Sequence, residues 1–359
     1  MTISAVAGPG PDLSRERPVA DLLGWARELL EPEARHWADC LEPKSRLVAG
    51  YQLGWWDSAG QPANAGGKAV RAALVLLCAR AVGGAAEDAV PAAVGVEFVH
   101  AFSLMHDDVM DRDPVRRHRP AAWTVFGTAD TLAAADALMS LAFEGFFRRG
   151  QCVDTACAAA AALGEAVARM ARGQALDLAF EQTDTVTIEQ CLSMEADKTA
   201  SLMAAAARLG ALYGGAAPQA ADRLAAFGEH LGRAFQLADD VLGVWGIADA
   251  TGKPVLSDLR SRKKSAPVVA ALAASHPAAD QLGCLYAQRD YLSEADVHRA
   301  AALVTLAGGR DWAHRRANGH LRSALGHLRE QPAHTDDHAA RTASAELASL
   351  ARFVVTRRH

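Results

Sequence analysis

Residues 99–120 read VHAFSLMHDDVMDRDPVRRHRP and place an aspartate-rich patch at the end of an apolar helical run. Within this stretch Ser103, Asp107 and Asp111 follow one another at four-residue spacing, so they lie on one face of a helix. Carboxylates are costly to bury, and two that project together need a compensating cation. Hard oxygen ligands favour magnesium. The arginines that follow, in what we expect to be an exposed loop, add the positive charge that a polyphosphate ligand requires.

A second aspartate patch, residues 239–243 with the sequence DDVLG, ends another apolar helical run. Gln236 precedes the pair Asp239 and Asp240 by about one helical turn. Lysines follow in a predicted loop that can close over the same anion. Two such patches in one chain predict two sides of a single magnesium–diphosphate site.

A third signal, residues 66–71 with the sequence GGKAVR, opens a predicted helix. Permissive glycine backbone, a helix N-terminus and the cations Lys68 and Arg71 converge there, which favours a second diphosphate pocket. Each of the three signals also has an ordinary explanation when it is considered alone, namely a helix end with solvated charges. Their combination in one chain is what indicates chemistry.

The composition favours one large all-α domain, because the 359 residues are 50% hydrophobic, rich in alanine and poor in β-branched runs. We expect a flexible tail over residues 1–18 and a single domain over residues 19–359. The net charge of −5 gives no electrostatic reason to expect nucleic acid or an anionic membrane as a partner. No run of roughly 20 strongly apolar residues predicts a membrane span. The six cysteines form no metal-type pair, and we expect buried thiols in a reducing cytoplasm.

In their order, these motifs resemble the polyprenyl synthetase family and, within it, trans-isoprenyl diphosphate synthases. The resemblance spans roughly residues 66–267 and is highly specific. The matching segments are GGKAVR at 66–71, the whole of 99–120, GQALDL at 173–178, KTASL at 198–202, FQLADDVLG at 235–243 and GKPVLSDLRSRKKS at 252–265.

The resemblance implies an isoprenoid synthase-like helical bundle around a deep central cavity, usually in a homodimer. It also implies a prenyltransferase that joins isopentenyl diphosphate to an allylic diphosphate. Three magnesium ions would lie between the allylic diphosphate and the ligands Asp107, Asp111 and Asp239, with Asp108 and Asp240 in support.

The same resemblance assigns the two substrates to different residues. The positions that match allylic diphosphate binders are Arg116, Lys198, Lys253 and Lys263, with Gln236 as a nearby polar group. The positions that match isopentenyl diphosphate binders are Lys68, Arg71, His100 and Arg117. Lys198 and the five aspartates of the two patches are the candidate catalytic residues.

The expected mechanism follows from charge. Metal and lysine stabilise the departing diphosphate, so that the allylic C–O bond ionises in a cavity that excludes water. The double bond of isopentenyl diphosphate attacks the carbocation at the 1′-4 positions, and the released pyrophosphate then takes the proton. No side-chain general base is required.

The chain departs from the family pattern at several positions. Alanine stands at 69 and 72 where Arg and Pro are frequent, and His118 stands where Gly is common; we expect activity to survive these changes. Gly243 replaces the last aspartate of the second motif, and Ile247 occupies a position that is often acidic. We therefore expect weaker metal binding at the second patch, with Asp249 as a candidate substitute for the missing carboxylate.

Product length is expected to depend on residues just before the first patch. Phe102 and Ser103 lie roughly 6 to 7.5 Å from Asp107 along the helix axis, toward the helix N-terminus. The growing prenyl chain is expected to extend in this direction. One aromatic residue with a small neighbour resembles geranylgeranyl-forming members of the family, and two aromatics resemble farnesyl-forming ones. Geranylgeranyl diphosphate is therefore the expected product, with farnesyl diphosphate as the alternative.

Three other functions remain as alternatives. A terpene cyclase of the same fold also ionises prenyl diphosphates, but its Asn/Asp-Ser/Thr-Glu metal motif is absent from residues 239–246. A non-catalytic partner subunit would be expected to lose acidic or basic positions that this chain retains. A purely structural bundle leaves the ordered acids and bases unexplained.

Overall fold

The computed structural model describes residues 16–148, 152–246, 256–288, 292–330 and 337–356. Lys253, Ile247 and Asp249 lie outside these residues. The predicted all-α fold is confirmed, because the described ranges are helical almost throughout. Their strands form a single antiparallel hairpin, β1 Val115–Arg116 with β2 Arg119–Pro120, beside one isolated bridge.

Several helices begin at a proline, among them those that start at Pro43, Pro218 and Pro277, and Gly54 ends the second helix in a left-handed conformation. In chain order the helices are α1 Val19–Ala38, α2 Pro43–Leu53, α3 Val70–Ala81, α4 Val90–Met110, α5 Ala122–Phe126, α6 Thr128–Glu144, α7 Val153–Glu181, α8 Ile188–Glu195, α9 Ser201–Tyr213, α10 Pro218–Trp245, α11 Ser257–Arg260, α12 Ala266–Leu272, α13 Pro277–Tyr286, α14 Glu294–Leu306, α15 Gly309–Arg329 and α16 His338–Thr356. A π-helical turn, Ala196–Ala200, joins α8 to α9, and short 3₁₀ turns occupy Glu87–Ala89 and Gly145–Phe147.

Helix α4 lies at the centre of the bundle and ends at the first aspartate patch. It packs against α3, α6 and α9, and its Phe98 and Met105 are fully buried. The segment Glu87–Met110 is long and apolar enough to cross a membrane, but 56% of its most apolar window is buried inside the bundle. It is therefore a core helix, and its acidic end faces the site described below.

Helix α10 carries the second patch. It packs along α9 and α15 over most of its length, with Phe227 and Leu231 fully buried. Because both acidic patches lie at the C-terminal ends of long packed helices, the rigid bundle determines where their carboxylates lie.

Two expectations from sequence are wrong in detail. Of the six cysteines, only Cys78 and Cys191 are buried, because the others lie on outward-facing helix positions or at helix ends. The basic segment after the first patch is also not a fully exposed loop. It forms the β1–β2 hairpin, which turns Arg116, Arg117 and Arg119 partly inward.

A buried ion-pair cluster joins the two ends of the described chain. Glu346 of α16 is fully buried and accepts hydrogen bonds from Arg17 at 2.7 and 2.8 Å and from Arg80 of α3 at 3.0 Å. Burial lowers the pKa of Arg80, and Glu346 opposes this effect. The cluster fixes α16 against α3 and against the residues that precede α1.

We predict that Glu346→Gln destabilises the folded protein by about 3–5 kcal/mol, because two partly or fully buried guanidinium groups lose their counter-ion. Urea unfolding measures the effect. Asp222→Asn is the matched control: it removes the partner of Arg208 in an exposed pair, and its cost is expected to stay below about 1 kcal/mol. Equal losses in the two variants would contradict the prediction.

Candidate active site

The first patch presents two carboxylates from the last turn of α4. The backbone N–H of Asp111, the C-cap residue, donates to the carbonyl of Asp107 at 2.8 Å, which keeps both residues in helical register. Burial raises the pKa of Asp107, Lys198 lowers it, and Asp111 raises it further. The carboxylate of Asp107 makes no hydrogen bond or ion pair with a described residue, so it is available to a ligand.

Asp108 faces the other way and pairs inside the protein. It is 1% exposed and accepts from Nε of Arg116 at 2.9 Å, with a second contact from the Arg116 Nη2 atom. Burial alone would lower the pKa of Arg116, but the bond to Asp108 holds it above its usual value. Arg116, predicted to bind the allylic diphosphate, is thus tied to α4 in this structure.

The hairpin that carries these arginines is anchored at both sides. The Tyr51 hydroxyl donates to the carbonyl of Pro120 at 2.7 Å, and Nε1 of Trp123 donates to the carbonyl of Asp113 at 2.8 Å. Arg117 and His118 form its two-residue turn with φ of 52° and 59°. Positive φ at both central residues is typical of a tight hairpin turn and explains why glycine suits the position of His118.

The second patch divides its carboxylates in the same way. Asp240 is 4% exposed and accepts from Gln236 Nε2 at 2.7 Å and from the backbone N–H of Ala266 at 3.0 Å. Thr199 in turn donates to Gln236 Oε1 at 2.7 Å. Behind them, burial and the neighbouring Asp240 raise the pKa of Glu195 well above its usual value. Gln236 therefore orients Asp240, while Asp239 on the adjacent position is only partly buried.

Asp177 of α7 pairs with two of the predicted substrate-binding lysines, although it was not itself a predicted site residue. Its carboxylate lies 2.7 Å from Nζ of Lys198 and 3.6 Å from Nζ of Lys263. Burial acts to raise the pKa of Asp177, but Lys263 and Lys198 hold it below its usual value. The only sequence signal for this residue was its place in the segment GQALDL.

The charge of Lys263 interacts with carboxylates at the ends of both α4 and α10. Burial acts to lower its pKa, but Asp177, followed by Asp258, Asp240 and Asp111, holds it above its usual value. Carboxylates from both patches therefore favour the charged form of one ammonium group. The close approach of α7 to Lys198 depends on Gly173, since a Cβ atom there would lie 2.8 Å from the Lys198 Cα atom.

The position of Gly243 has a physical explanation. A Cβ atom at Gly243 would lie 2.8 Å from the carboxyl carbon of Asp258, so that carboxylate occupies the space of the missing side chain. Gly243 is four residues after Asp239, on the same face of α10. Asp258, from α11, thus places a negative charge next to the second patch, and the sequence analysis did not select it.

The predicted isopentenyl diphosphate residues form a separate basic group at the start of α3. Nη1 of Arg71 donates to Nε2 of His100 at 3.2 Å. Burial lowers the pKa of His100 well below its usual value, and Arg71 and Arg117 add to the effect. The imidazole is therefore neutral. Lys68 lies on an exposed position just before the helix.

A cavity of about 290 Å³ adjoins this basic group. Its wall includes Gly66, Gly67, His100 and Arg117. The Arg117 guanidinium is close to the glycines, since a Cβ atom at Gly67 would lie 2.7 Å from its Nη2 atom. The remaining wall is mixed, with apolar side chains such as Leu30 and Phe98 beside the charged Arg27, Glu31 and Glu97.

The two predicted chain-length residues occupy different surroundings. Phe102 is half-buried and packs on His106 of the next turn, with ring centroids 4.2 Å apart. His106 also lies 3.7 Å from Asp136 of α6, which places this aromatic pair between α4 and α6. The hydroxyl of Ser103 donates to the carbonyl of His100 at 2.9 Å and adds little bulk.

The residues at the two helix ends fit a metal that is held jointly with substrate. Among the described residues, no group of three or more His, Cys, Asp or Glu side chains forms a complete metal site. Asp107 nevertheless lacks a donor, and beside Asp111 the buried Gln174 Oε1 atom has no hydrogen-bond partner among the described residues. One or two carboxylates completed by substrate phosphates is the usual coordination of magnesium.

The polyprenyl synthetase family model matches residues 57–304 of the chain. The chain belongs to the polyprenyl synthetase family. This synthetase is 43% identical over 360 residues to a (2E,6E)-farnesyl diphosphate synthase of Mycobacterium tuberculosis, covering 97% of this chain and 96% of the relative. It is also 40% identical over 306 residues to a geranylgeranyl diphosphate synthase of the same organism, covering 85% of this chain and 87% of the relative.

A solved structure gives the same result for the fold. The polyprenyl synthetase of Streptomyces coelicolor A3(2) superposes with a TM-score of 0.87 at 44% identity, covering 94% of this chain and 100% of that one. The predicted isoprenoid synthase-like fold and the predicted prenyltransferase activity are therefore confirmed at the level of the family.

For this synthetase we predict that Gly243→Asp destabilises the fold by about 1–3 kcal/mol, because the new side chain collides with Asp258 and adds a like charge. The double variant Gly243→Asp/Asp258→Gly should recover most of the lost stability. It removes the collision, and the carboxylate then comes from α10 instead of α11. Thermal unfolding measures both. Gly283→Asp is the control, because a Cβ atom at Gly283 has no neighbour within 4 Å. A double variant no better than the single one would contradict the steric explanation.

Proposed function

We propose that this prenyltransferase is a short-chain trans-prenyl diphosphate synthase that condenses isopentenyl diphosphate with allylic diphosphates. The observation that carries the proposal is the presence of two cationic sites of different construction. One contains Lys198 and Lys263 between the two acidic helix ends, and the other contains Arg71, His100 and Arg117 beside a cavity of about 290 Å³. A reaction between two diphosphates needs two such sites, one of them able to hold metal.

In this proposal the lysines bind and orient the allylic diphosphate. Asp177 holds Lys198 and Lys263 side by side, so both ammonium groups can bind one diphosphate. Lys253 is proposed to join them. Arg116 is proposed to contact the same diphosphate from the hairpin, where Asp108 keeps its guanidinium in place.

The metal ligands in the proposal are Asp107, Asp111 and Asp239, with three magnesium ions shared with the substrate. Asp108 and Asp240 support them by fixing the last turns of α4 and α10. When bound, magnesium neutralises the charge that develops on the leaving diphosphate as the allylic C–O bond breaks.

The second substrate is proposed to bind Lys68, Arg71, His100 and Arg117. His100 is neutral, so Nε2 accepts from Arg71 and holds that guanidinium toward the diphosphate. The C4 double bond of isopentenyl diphosphate then attacks the allylic cation. The new cation loses a proton to the released pyrophosphate, the nearest strong anion, and apolar walls exclude water from both cations.

We propose geranylgeranyl diphosphate as the final product. The support is the combination of one half-buried aromatic residue, Phe102, with the small Ser103 above it. Farnesyl diphosphate is the second candidate, favoured by the 43% identity to a farnesyl diphosphate synthase over nearly the whole chain.

A homodimer in the cytoplasm is proposed on more general grounds. Phe147 is 55% exposed and Val153 is 68% exposed, although both are apolar. Two such side chains do not define an interface by themselves, and the proposal rests on the resemblance to a family whose members usually form homodimers.

The function is tested by incubating the purified protein with magnesium, labelled isopentenyl diphosphate and, separately, dimethylallyl, geranyl and farnesyl diphosphates. We expect a linear twenty-carbon product from the three starters. A fifteen-carbon product would favour the farnesyl alternative, a cyclic product would favour a terpene cyclase, and no product from any starter would contradict the proposed reaction.

The metal ligands are tested by Asp107→Ala/Asp111→Ala. We expect folded protein whose turnover falls by orders of magnitude, because the carboxylates of the first patch are lost while the core of α4 is unchanged. Steady-state kinetics and circular dichroism measure the two properties. Asp222→Ala is the control, since this carboxylate lies near the start of α10 and is 61% exposed. Retained turnover in the double variant would contradict the assignment.

The role of Phe102 in limiting the length of the prenyl chain is tested by Phe102→Ala. We expect longer products, because the substitution removes a large side chain from the proposed floor of the channel. Chromatography of the dephosphorylated products measures chain length. Phe353→Ala, a half-buried phenylalanine in the last helix, is the control and should leave the product distribution unchanged. An unchanged distribution in Phe102→Ala would place the floor deeper in the bundle.

A further inference from the structure

Arg27 of α1 lies against the glycine segment that opens the second cationic site. Its Nη2 atom donates to the carbonyl of Gly67 at 2.9 Å, although the two residues are forty positions apart. The sequence motifs do not include Arg27, because it precedes all of them. The contact depends on the packing of α1 over the start of α3.

The segment that Arg27 contacts is closely packed on its other sides. The N–H of Ala65 donates to the carbonyl of Gly54 at 3.0 Å, and a Cβ atom at Gly66 would lie 2.9 Å from the carbonyl oxygen of Leu53. Arg117 meets the Cα side of Gly67, as described above. Gly67 therefore has one guanidinium at its carbonyl and another at its Cα atom.

Arg27 also belongs to the wall of the 290 Å³ cavity. The α1 residues in this wall are Arg27, Leu30, Glu31 and Ala34, which share one helical face. Glu31 already accepts from Nε and Nη2 of Arg35 at 2.8 and 2.6 Å. The acidic group on this face thus has its own counter-ion, and Arg27 contributes positive charge to the cavity.

Most N–H donors of the Arg27 guanidinium make no hydrogen bond with a described residue. The guanidinium carries five N–H groups, and the structure gives it one hydrogen bond and no ion pair with a described residue. A partly buried guanidinium beside a second one is suited to bidentate binding of a phosphate group. Its bond to Gly67 holds the side chain at the cavity wall.

We propose that Arg27 is a binding residue for the diphosphate of isopentenyl diphosphate, in addition to the four residues already assigned to that substrate. The assignment rests on the proposed function of the site. It distinguishes the two substrates, because Arg27 lies in the cavity beside His100 and Arg117, away from the lysines at Asp177.

The test compares Arg27→Gln and Arg27→Lys with the control Arg46→Gln. Arg46 is an arginine of the neighbouring α2 that pairs with Asp39 and is not in the cavity wall. The Michaelis constant of each substrate is measured with the other saturating. Binding of isopentenyl diphosphate alone is measured by titration calorimetry.

For Arg27→Gln we expect the KM and the Kd of isopentenyl diphosphate to rise about tenfold, the loss of one charge-assisted hydrogen bond. The KM of the allylic substrate should change less than about twofold, because its proposed site does not include Arg27. Arg27→Lys should recover part of the loss since it keeps the charge. Arg46→Gln should leave all constants unchanged.

Unchanged constants in Arg27→Gln, or an equal rise for both substrates, would overturn the role of Arg27. The same would follow if Arg46→Gln had an equal effect, because the cause would then be general loosening of the first helices. Failure of the proposed function has a different signature, since the wild-type protein would then turn over no pair of prenyl diphosphates. The calorimetric comparison tests Arg27 without requiring turnover.

Discussion

The shared ion pair of Asp177 with Lys198 and Lys263 is the interaction on which the arrangement of the site depends. Two helices end in aspartates inside one bundle, and their like charges oppose this arrangement unless cations lie between them. Asp177 keeps both ammonium groups there. Asp258, Asp240 and Asp111 add to the effect of Asp177 and hold the pKa of Lys263 above its usual value, so this ammonium group stays charged between the two helix ends.

Each acidic patch uses its two adjacent aspartates for different purposes. Asp108 and Asp240 are buried and bonded to protein donors, which fixes the last turns of their helices. Asp107 and Asp239 occupy the more accessible positions. Successive residues on a helix point about 100° apart, so an Asp-Asp pair can supply one structural carboxylate and one that meets a ligand. The two residues of each pair therefore differ in burial and in hydrogen bonding.

The predictions from sequence were most accurate where the signal was local. The helical ends before Asp111 and after Asp240, and the start of α3 after GGK, follow from apolar periodicity and from glycine, and they were predicted. The hairpin at residues 115–120 was not, because two strands of two residues each are too short to show alternation. The cysteines were misjudged because an alanine-rich helix has weakly apolar faces, so burial cannot be assigned from composition.

By itself, the sequence determined the all-α fold, the order of the acidic and basic segments and the membership in a prenyltransferase family, because these depend on spacing within single segments. The tertiary structure alone decided that Asp177 meets two lysines, that the Asp258 carboxylate occupies the side-chain space of Gly243, and that Arg27 reaches Gly67. Each of these contacts joins segments that belong to different elements of the fold. Their geometry depends on how whole helices pack, and no local pattern of residues contains that information.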